Sequence, residues 1–168
     1  MKLTRLKLGL VALTVVAAAT STMAFHGTNE EDSTPFDKLK ALAGTWVMLD
    51  EDGNPTDEVM STIKVTTGGS AVLDTEFPDT EKEMLTVFTM NKGQLELHHY
   101  CILGNAPVMI ANADSGSDEL IFDCNGEGPS LDCAKDKHMH NGHYHFHGKD
   151  RMSNTWNMIE NGQVIYTA

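Results

Sequence analysis

The chain is poor in basic residues, cysteine and aromatic residues, and this composition narrows the range of functions it could have. Its 168 residues carry 12 Lys and Arg against 24 Asp and Glu, a formal net charge of −12 with histidine neutral. This balance disfavours nucleic acid as a partner, because phosphate groups are bound through basic side chains. The sequence also lacks the motifs of serine hydrolases, zinc proteases and dinucleotide- or phosphate-binding loops. Enzymatic activity is therefore the less favoured hypothesis.

Only one long apolar run is present, and it lies close to the N-terminus. Three basic residues, Lys2, Arg5 and Lys7, precede an uninterrupted stretch of small and apolar residues at positions 8–19. The segment Thr22-Met23-Ala24 then fits a cleavage site. We expect residues 1–24 to be a signal peptide and 25–33 a flexible leader, so that the protein is periplasmic or extracellular. The run is too short to span a bilayer, and no membrane insertion is expected after cleavage. The mature chain would keep 9 basic and all 24 acidic residues, a net charge of 9 − 24 = −15.

The chain has three cysteines, so in an oxidising compartment at least one of them has no partner for a disulfide within the chain. All three pairings of Cys101, Cys124 and Cys133 are open. Cys124 with Cys133 is favoured because the two residues bracket a turn-rich segment, 125–130. A disulfide that closes so short a loop contributes roughly 2–3 kcal/mol in the chain-entropy model. Cys101 would then be unpaired.

After the leader, the pattern predicts one short helix followed by strands. Thr34 is suited to cap the helix with Asp37 three residues later, and Gly44 is predicted to end it in the left-handed conformation. Beyond this point hydrophobicity alternates with period two, and turn residues recur about every ten residues. Asn161-Gly162 is typical of a two-residue hairpin. We predict that residues 34–168 form one all-β domain, an up-and-down antiparallel barrel of about 8–10 strands. A sandwich is the alternative.

The start of this domain resembles the lipocalin-like (calycin) barrels, whose first strand opens with Gly-x-Trp, here Gly44-Thr45-Trp46. The likeness extends to His99-Tyr100-Cys101, to His138-Met139-His140 and to Trp156 on a late strand. In this combination the chain resembles bacterial exported lipocalin-like domains of unknown function more closely than it resembles the calycin barrels in general. The resemblance implies an eight- to ten-stranded barrel with an internal cavity and carries no established activity.

Five of the eight histidines lie within residues 138–147, where two arrangements are open. A hairpin turn at Asn141-Gly142 would place all five on one exposed face, as a metal or proton trap. A strand that continues through Asn141-Gly142, which the resemblance favours, divides them by parity. His138, His140, Tyr144 and Phe146 then face the interior, and His143, His145 and His147 face solvent. For the outer three, a solvated surface or weak adventitious metal binding is the expected role.

The leading functional hypothesis is an exported, non-enzymatic protein that binds an apolar or amphipathic small molecule inside the barrel. Its predicted wall and anchor residues are Trp46, Met84, Phe88, Met90, His99, His138, His140, Tyr144, Phe146 and Trp156. The alternative is an envelope protein that binds copper or zinc through His99, Cys101, His138 and His140. His99 and Cys101 enter this set because they share parity with apolar residues of one strand. A cavity enzyme using Cys101 beside His99 is the weakest hypothesis.

Overall fold

The computed structural model describes residues 1–5, 34–112, 115–116, 118–125 and 131–168. The elements, in chain order, are β1 (Lys2–Arg5), α1 (Pro35–Ala41), β2 (Gly44–Leu49), β3 (Pro55–Thr66), β4 (Ala71–Glu76), β5 (Met84–Asn91), β6 (Gln94–Tyr100), β7 (Val108–Ala111), β8 (Glu119–Cys124), β9 (His138–Phe146), β10 (Arg151–Glu160) and β11 (Gln163–Thr167). Among the described residues, α1 is the only α-helix, and no helix is long and apolar enough to cross a membrane.

The described strands form an antiparallel barrel. Each strand from β1 to β10 pairs with its neighbour in sequence, and β1 also pairs with β10, so that ten strands close into a ring. β11 continues from β10 through Asn161 and Gly162, whose φ values of 52° and 72° suit a primed hairpin turn. The predicted all-β barrel with one short helix is confirmed, and its architecture is compatible with a calycin-like fold.

The helix begins as predicted but ends differently. The Asp37 backbone N–H donates to the Thr34 side chain at 3.2 Å, which caps the first turn. The helix ends at Ala41, and the N–H of Leu42 donates back to the Leu39 carbonyl to close the last turn. Gly44 already begins β2, with φ of +148°, so the prediction that it ends the helix in the left-handed conformation was wrong. The chain needs no left-handed residue there because Leu42 itself has helical angles.

The core is packed around a group of aromatic side chains. Phe88 lies with its ring centroid 5.7 Å from that of Phe122 and 6.0 Å from that of Tyr144, and Trp156 lies 5.9 Å from Tyr144. The tilted and edge-on arrangements are those that aromatic quadrupoles favour. Trp46 is also fully buried and donates its indole N–H to the Leu42 carbonyl at 2.8 Å. This donation ties β2 to the end of the helix.

β9 runs straight through Asn141-Gly142, so the hairpin alternative is wrong and the continuous strand is confirmed. The strand nevertheless contains a bulge. Asn157 of β10 pairs with Asn141, but the next pair is Met158 with Met139, so that His140 is an extra residue on β9. An extra residue reverses the alternation of side chains along the strand. The predicted alternation of inward and outward side chains therefore holds at Tyr144 and fails at His138 and His140.

Gly142 lies against the six-membered ring of Trp156, its partner on β10. A Cβ atom at this position would lie 3.1 Å from two ring atoms of Trp156. We therefore expect Gly142→Ala to lower the free energy of unfolding by about 1–3 kcal/mol, because a well-packed core accommodates an added methyl group poorly. Urea unfolding measures the loss. Asn141→Ala is the control, and an equal loss in both variants would contradict the packing.

A disulfide joins Cys124 at the end of β8 to Cys133, as the sequence favoured, and Cys101 is free. The predicted signal peptide and leader lie outside the described residues apart from Met1–Arg5. Cleavage and export therefore stay predictions.

Candidate functional site

A partly open cavity of about 70 Å³ lies inside the barrel. Its apolar wall consists largely of thioethers, with Phe77 and Trp156 as the aromatic residues; the methionines are Met1, Met60, Met84, Met139 and Met152. Its polar wall consists of Ser61, Asp74, Glu76, His99 and Asn154. The site is thus a small, largely apolar space whose wall includes five polar side chains.

Strand alternation and register bring the polar groups together. Asp74 and Glu76 share a face of β4 with fully buried Val72, so both carboxyls point inward. On the neighbouring strands, Thr86 lies opposite Asp74 on one side and opposite His99 on the other. The three residues form a cross-strand row, and His99 is only 1% exposed.

The hydroxyl of Thr86 connects Glu76 to His99. Thr86 Oγ1 lies 2.9 Å from Glu76 Oε1 and 2.8 Å from His99 Nδ1. A hydroxyl has a single proton to donate. When Glu76 is ionised, Thr86 donates to the carboxylate and accepts from His99 Nδ1–H, which leaves Nε2 as an acceptor. When Glu76 is protonated it donates to Thr86, Thr86 donates to Nδ1, and Nε2–H becomes a donor. The protonation of Glu76 thus sets the hydrogen-bonding character of His99 Nε2.

Burial dominates the electrostatics of this row. Desolvation raises the pKa of Asp74 to about 7, against the lowering effect of the hydrogen bond from Ser61. Desolvation and the nearby Asp74 carboxylate raise the pKa of Glu76 to about 8. Desolvation lowers the pKa of His99 to about 4, so its imidazole is neutral at physiological pH. Among the described residues, the wall of the cavity therefore has two carboxyls with raised pKa values and no Lys or Arg side chain, and the terminal ammonium of Met1 donates to the Asn154 carbonyl oxygen at 2.8 Å.

Two of the polar atoms that belong to the cavity wall lack a partner. His99 Nε2 and Asn154 Oδ1 are buried and accept or donate no hydrogen bond among the described residues. The imidazole of His99 lies against Trp156, with ring centroids 5.2 Å apart. Buried polar atoms without partners are uncommon in folded proteins and are costly. They mark this side of the cavity as the place where a bound molecule would gain hydrogen bonds.

Of the predicted ligand-binding residues, the structure places Met84, His99 and Trp156 on the cavity wall. The buried side chains of Trp46, Phe88 and Tyr144 belong to the packed core instead, and Phe146 packs partly buried against it. Met90 is 46% exposed near the end of β5, and His138 and His140 do not line the cavity. The bulge in β9 explains the last two, because it turns Met139 to the cavity in their place.

The structure does not assemble the predicted metal set. His138 is buried elsewhere, where its Nδ1 lies 2.7 Å from the Asp136 carbonyl and its Nε2 lies 3.1 Å from His140 Nδ1. The ligand cluster that contains His138 is completed by Cys124 and Cys133, whose sulfurs are joined in the disulfide. His99 and Cys101 do not belong to this cluster.

The predicted thiol–imidazole pair is also absent from the described structure. His99 Nδ1 contacts Thr86 and its Nε2 has no partner, so neither ring nitrogen binds the Cys101 thiol. Burial raises the pKa of Cys101, which keeps the thiol protonated and weakly nucleophilic.

Sequence reasoning missed Asp74 and Glu76, the charged residues of the site. Their signal was present, because both stand at even spacing from Val72 within a strand of alternating polarity. Comparisons of the chain with protein-family models, with curated proteins and with solved structures give no match.

Proposed function

We propose that the protein binds a small amphipathic molecule in the barrel cavity, and that the polar end of this molecule is a hydrogen-bond donor, best matched by an ammonium group. The observation that carries the proposal is the set of buried polar groups in the wall of a thioether-lined cavity. Asp74 and Glu76 contribute carboxyl groups there, and His99 Nε2, an acceptor whenever Glu76 is ionised, and Asn154 Oδ1 have no hydrogen-bond partner among the described residues.

An ammonium group satisfies this arrangement better than a neutral donor does. It carries three N–H groups, enough for Glu76 and for the two unpartnered acceptors. Its positive charge also favours ionisation of a carboxyl that burial disfavours, and the interaction is strong because the surroundings are dry. With Glu76 ionised, the Thr86 hydrogen bond holds His99 Nε2 as an acceptor toward the bound amine. Trp156, packed against His99, adds an aromatic side chain to the same wall.

The size of the cavity limits the apolar part of the ligand. At about 70 Å³ it is smaller than the roughly 150 Å³ cavity that holds benzene in a protein interior. A short or compact hydrocarbon is therefore the match, and the flexible methionine side chains allow modest expansion. We propose further that the protein works in the periplasm or outside the cell, on the strength of the N-terminal signal pattern, and that it is a lipocalin-like binding protein.

The test compares n-butylamine with n-butanol, which has the same hydrocarbon chain and an uncharged head, by calorimetric titration of the full chain at neutral pH. We expect the amine to bind at least about tenfold more tightly, since hydrogen bonds to charged groups contribute about 1.5–3 kcal/mol. Glu76→Gln should abolish this preference, and Glu51→Gln, at an exposed turn, should preserve it. Equal affinity for the two probes, or no binding of either, would refute the proposal. Mass spectrometry of an organic extract then identifies what co-purifies.

A further inference from the structure

The outer face of the barrel carries a second cluster, on β8 and β9 and separate from the cavity. Glu119 stands directly opposite His145 in the strand register, and His143 lies two residues before His145 on the same face. Glu119 Oε2 lies 2.7 Å from His143 Nε2 and 4.0 Å from His145 Nδ1. One ligand atom from each residue lies within 4.8 Å of the other two.

We propose that Glu119, His143 and His145 form a binding site for a divalent transition-metal ion, Zn²⁺ or Cu²⁺. Bond lengths of about 2.0–2.1 Å and tetrahedral angles place neighbouring ligand atoms about 3.3 Å apart. The distances of 2.7 and 4.0 Å to the Glu119 oxygen fall on either side of that value. Small rotations of exposed side chains are therefore enough to reach coordination geometry, with no movement of the backbone.

The scaffold beneath the cluster is rigid. β9 is hydrogen-bonded on both sides, to β8 and to β10, so the two histidines are held at a fixed spacing. The ring of His145 stacks on that of His147 at a centroid distance of 4.5 Å, and His147 Nε2 lies 2.9 Å from Ser153 Oγ. Packing of this kind restricts the rotamers of His145 before a metal arrives, which lowers the entropy lost on binding.

The donor set and its exposure decide which ion fits. Two imidazoles and one carboxylate suit Zn²⁺ and Cu²⁺, whereas Mg²⁺ and Ca²⁺ prefer oxygen ligands alone. The side chains of His143, His145 and Glu119 are 44%, 47% and 35% exposed. Three protein ligands at a solvent-facing position leave the remaining coordination to water or to a second molecule. The acidic net charge of −12 raises the local concentration of cations.

The experiment is a calorimetric titration of the untagged full chain with ZnCl₂ and, separately, with CuSO₄. We expect one ion to bind per chain. The double variant His143→Ala/His145→Ala and the single variant Glu119→Gln should each raise the dissociation constant at least tenfold. For Cu²⁺, electron paramagnetic resonance should show nitrogen hyperfine structure that the double variant loses. Because all three side chains are surface groups, thermal melting of the metal-free variants should stay close to that of the wild type.

His98→Ala is the matched control. His98 and Glu96 both lie on β6, with His98 Nε2 3.5 Å from Glu96 Oε2, and they offer a similar histidine–carboxylate pair without a second imidazole. Its affinity should equal that of the wild type. No saturable binding, or a loss in His98→Ala equal to that in the double variant, would overturn the proposal. Butylamine binding should be the same in all of these variants, so failure of the metal site is distinguishable from failure of the cavity proposal.

Discussion

Replacing Asp74 and Glu76 together by Asn and Gln is expected to stabilise the folded protein by several kcal/mol at pH 8. Burial raises the pKa of both carboxyls, to about 7 and about 8, above the ordinary values of 3.8 and 4.5. The folded protein therefore holds protons that the unfolded chain has already released. Each tenfold change in an ionisation constant corresponds to about 1.4 kcal/mol. The amides keep a carbonyl oxygen for Ser61 and Thr86 and remove this cost.

The sign of the pH dependence makes the test specific. Below about pH 3 the carboxyls are protonated in both states, so the double variant should differ little from the wild type. As the pH rises through the window from about 4 to about 8, the wild type should lose stability progressively relative to the variant. His99 acts in the opposite direction between its ordinary value of 6.5 and its pKa of about 4, but in both proteins. Comparison at the same pH therefore isolates the carboxyls.

Urea unfolding at pH 4, 6 and 8 measures this difference. Glu51→Gln/Asp52→Asn is the control, because both residues are exposed at a turn. A pH-independent difference between the wild type and the Asp74/Glu76 variant, or a destabilised variant at pH 8, would show that the carboxyls are ionised and satisfied in the folded protein.

Phe88→Ala is expected to lower the free energy of unfolding by about 3–5 kcal/mol, the range found for removal of a buried phenyl ring. Phe88 is 1% exposed and contacts both Phe122 and Tyr144, so its loss would leave a cavity between two aromatic rings. Equilibrium unfolding in guanidinium chloride measures the effect.

Leu85→Ala is the matched control on the same strand, because Leu85 is 37% exposed on the outer face. Leu85→Ala should lower the free energy of unfolding by no more than about 1 kcal/mol. Similar effects in the two variants would mean that the interior of the barrel is not packed around Phe88.

Sequence reasoning succeeded where periodicity decides the structure. The alternation of apolar and polar residues predicts the number of strands, the buried position of His99 and the exposed positions of His143 and His145. It failed at the bulge in β9, because an extra residue in a ladder is set by the pairing with β10 and not by local composition. That one residue removed His138 and His140 from the predicted site.

The acidic side of the cavity was missed for a different reason. Buried carboxyls depart from the expectation that charged residues face water, so the sequence pattern did not single out Asp74 and Glu76. What keeps them inside is the cross-strand partnership with Thr86 and His99, which requires the register of three strands. Glu119 beside His143 likewise depends on the register between β8 and β9, which local composition does not set.

The position of β1 in the barrel means that signal-peptide cleavage would alter the cavity wall. Met1 and Leu3 line the cavity, and β1 separates β2 from β10. Cleavage after Ala24 would remove this strand and leave a seam along the barrel beside the ligand space. The precursor and the processed protein would then differ in how much of the cavity wall is present.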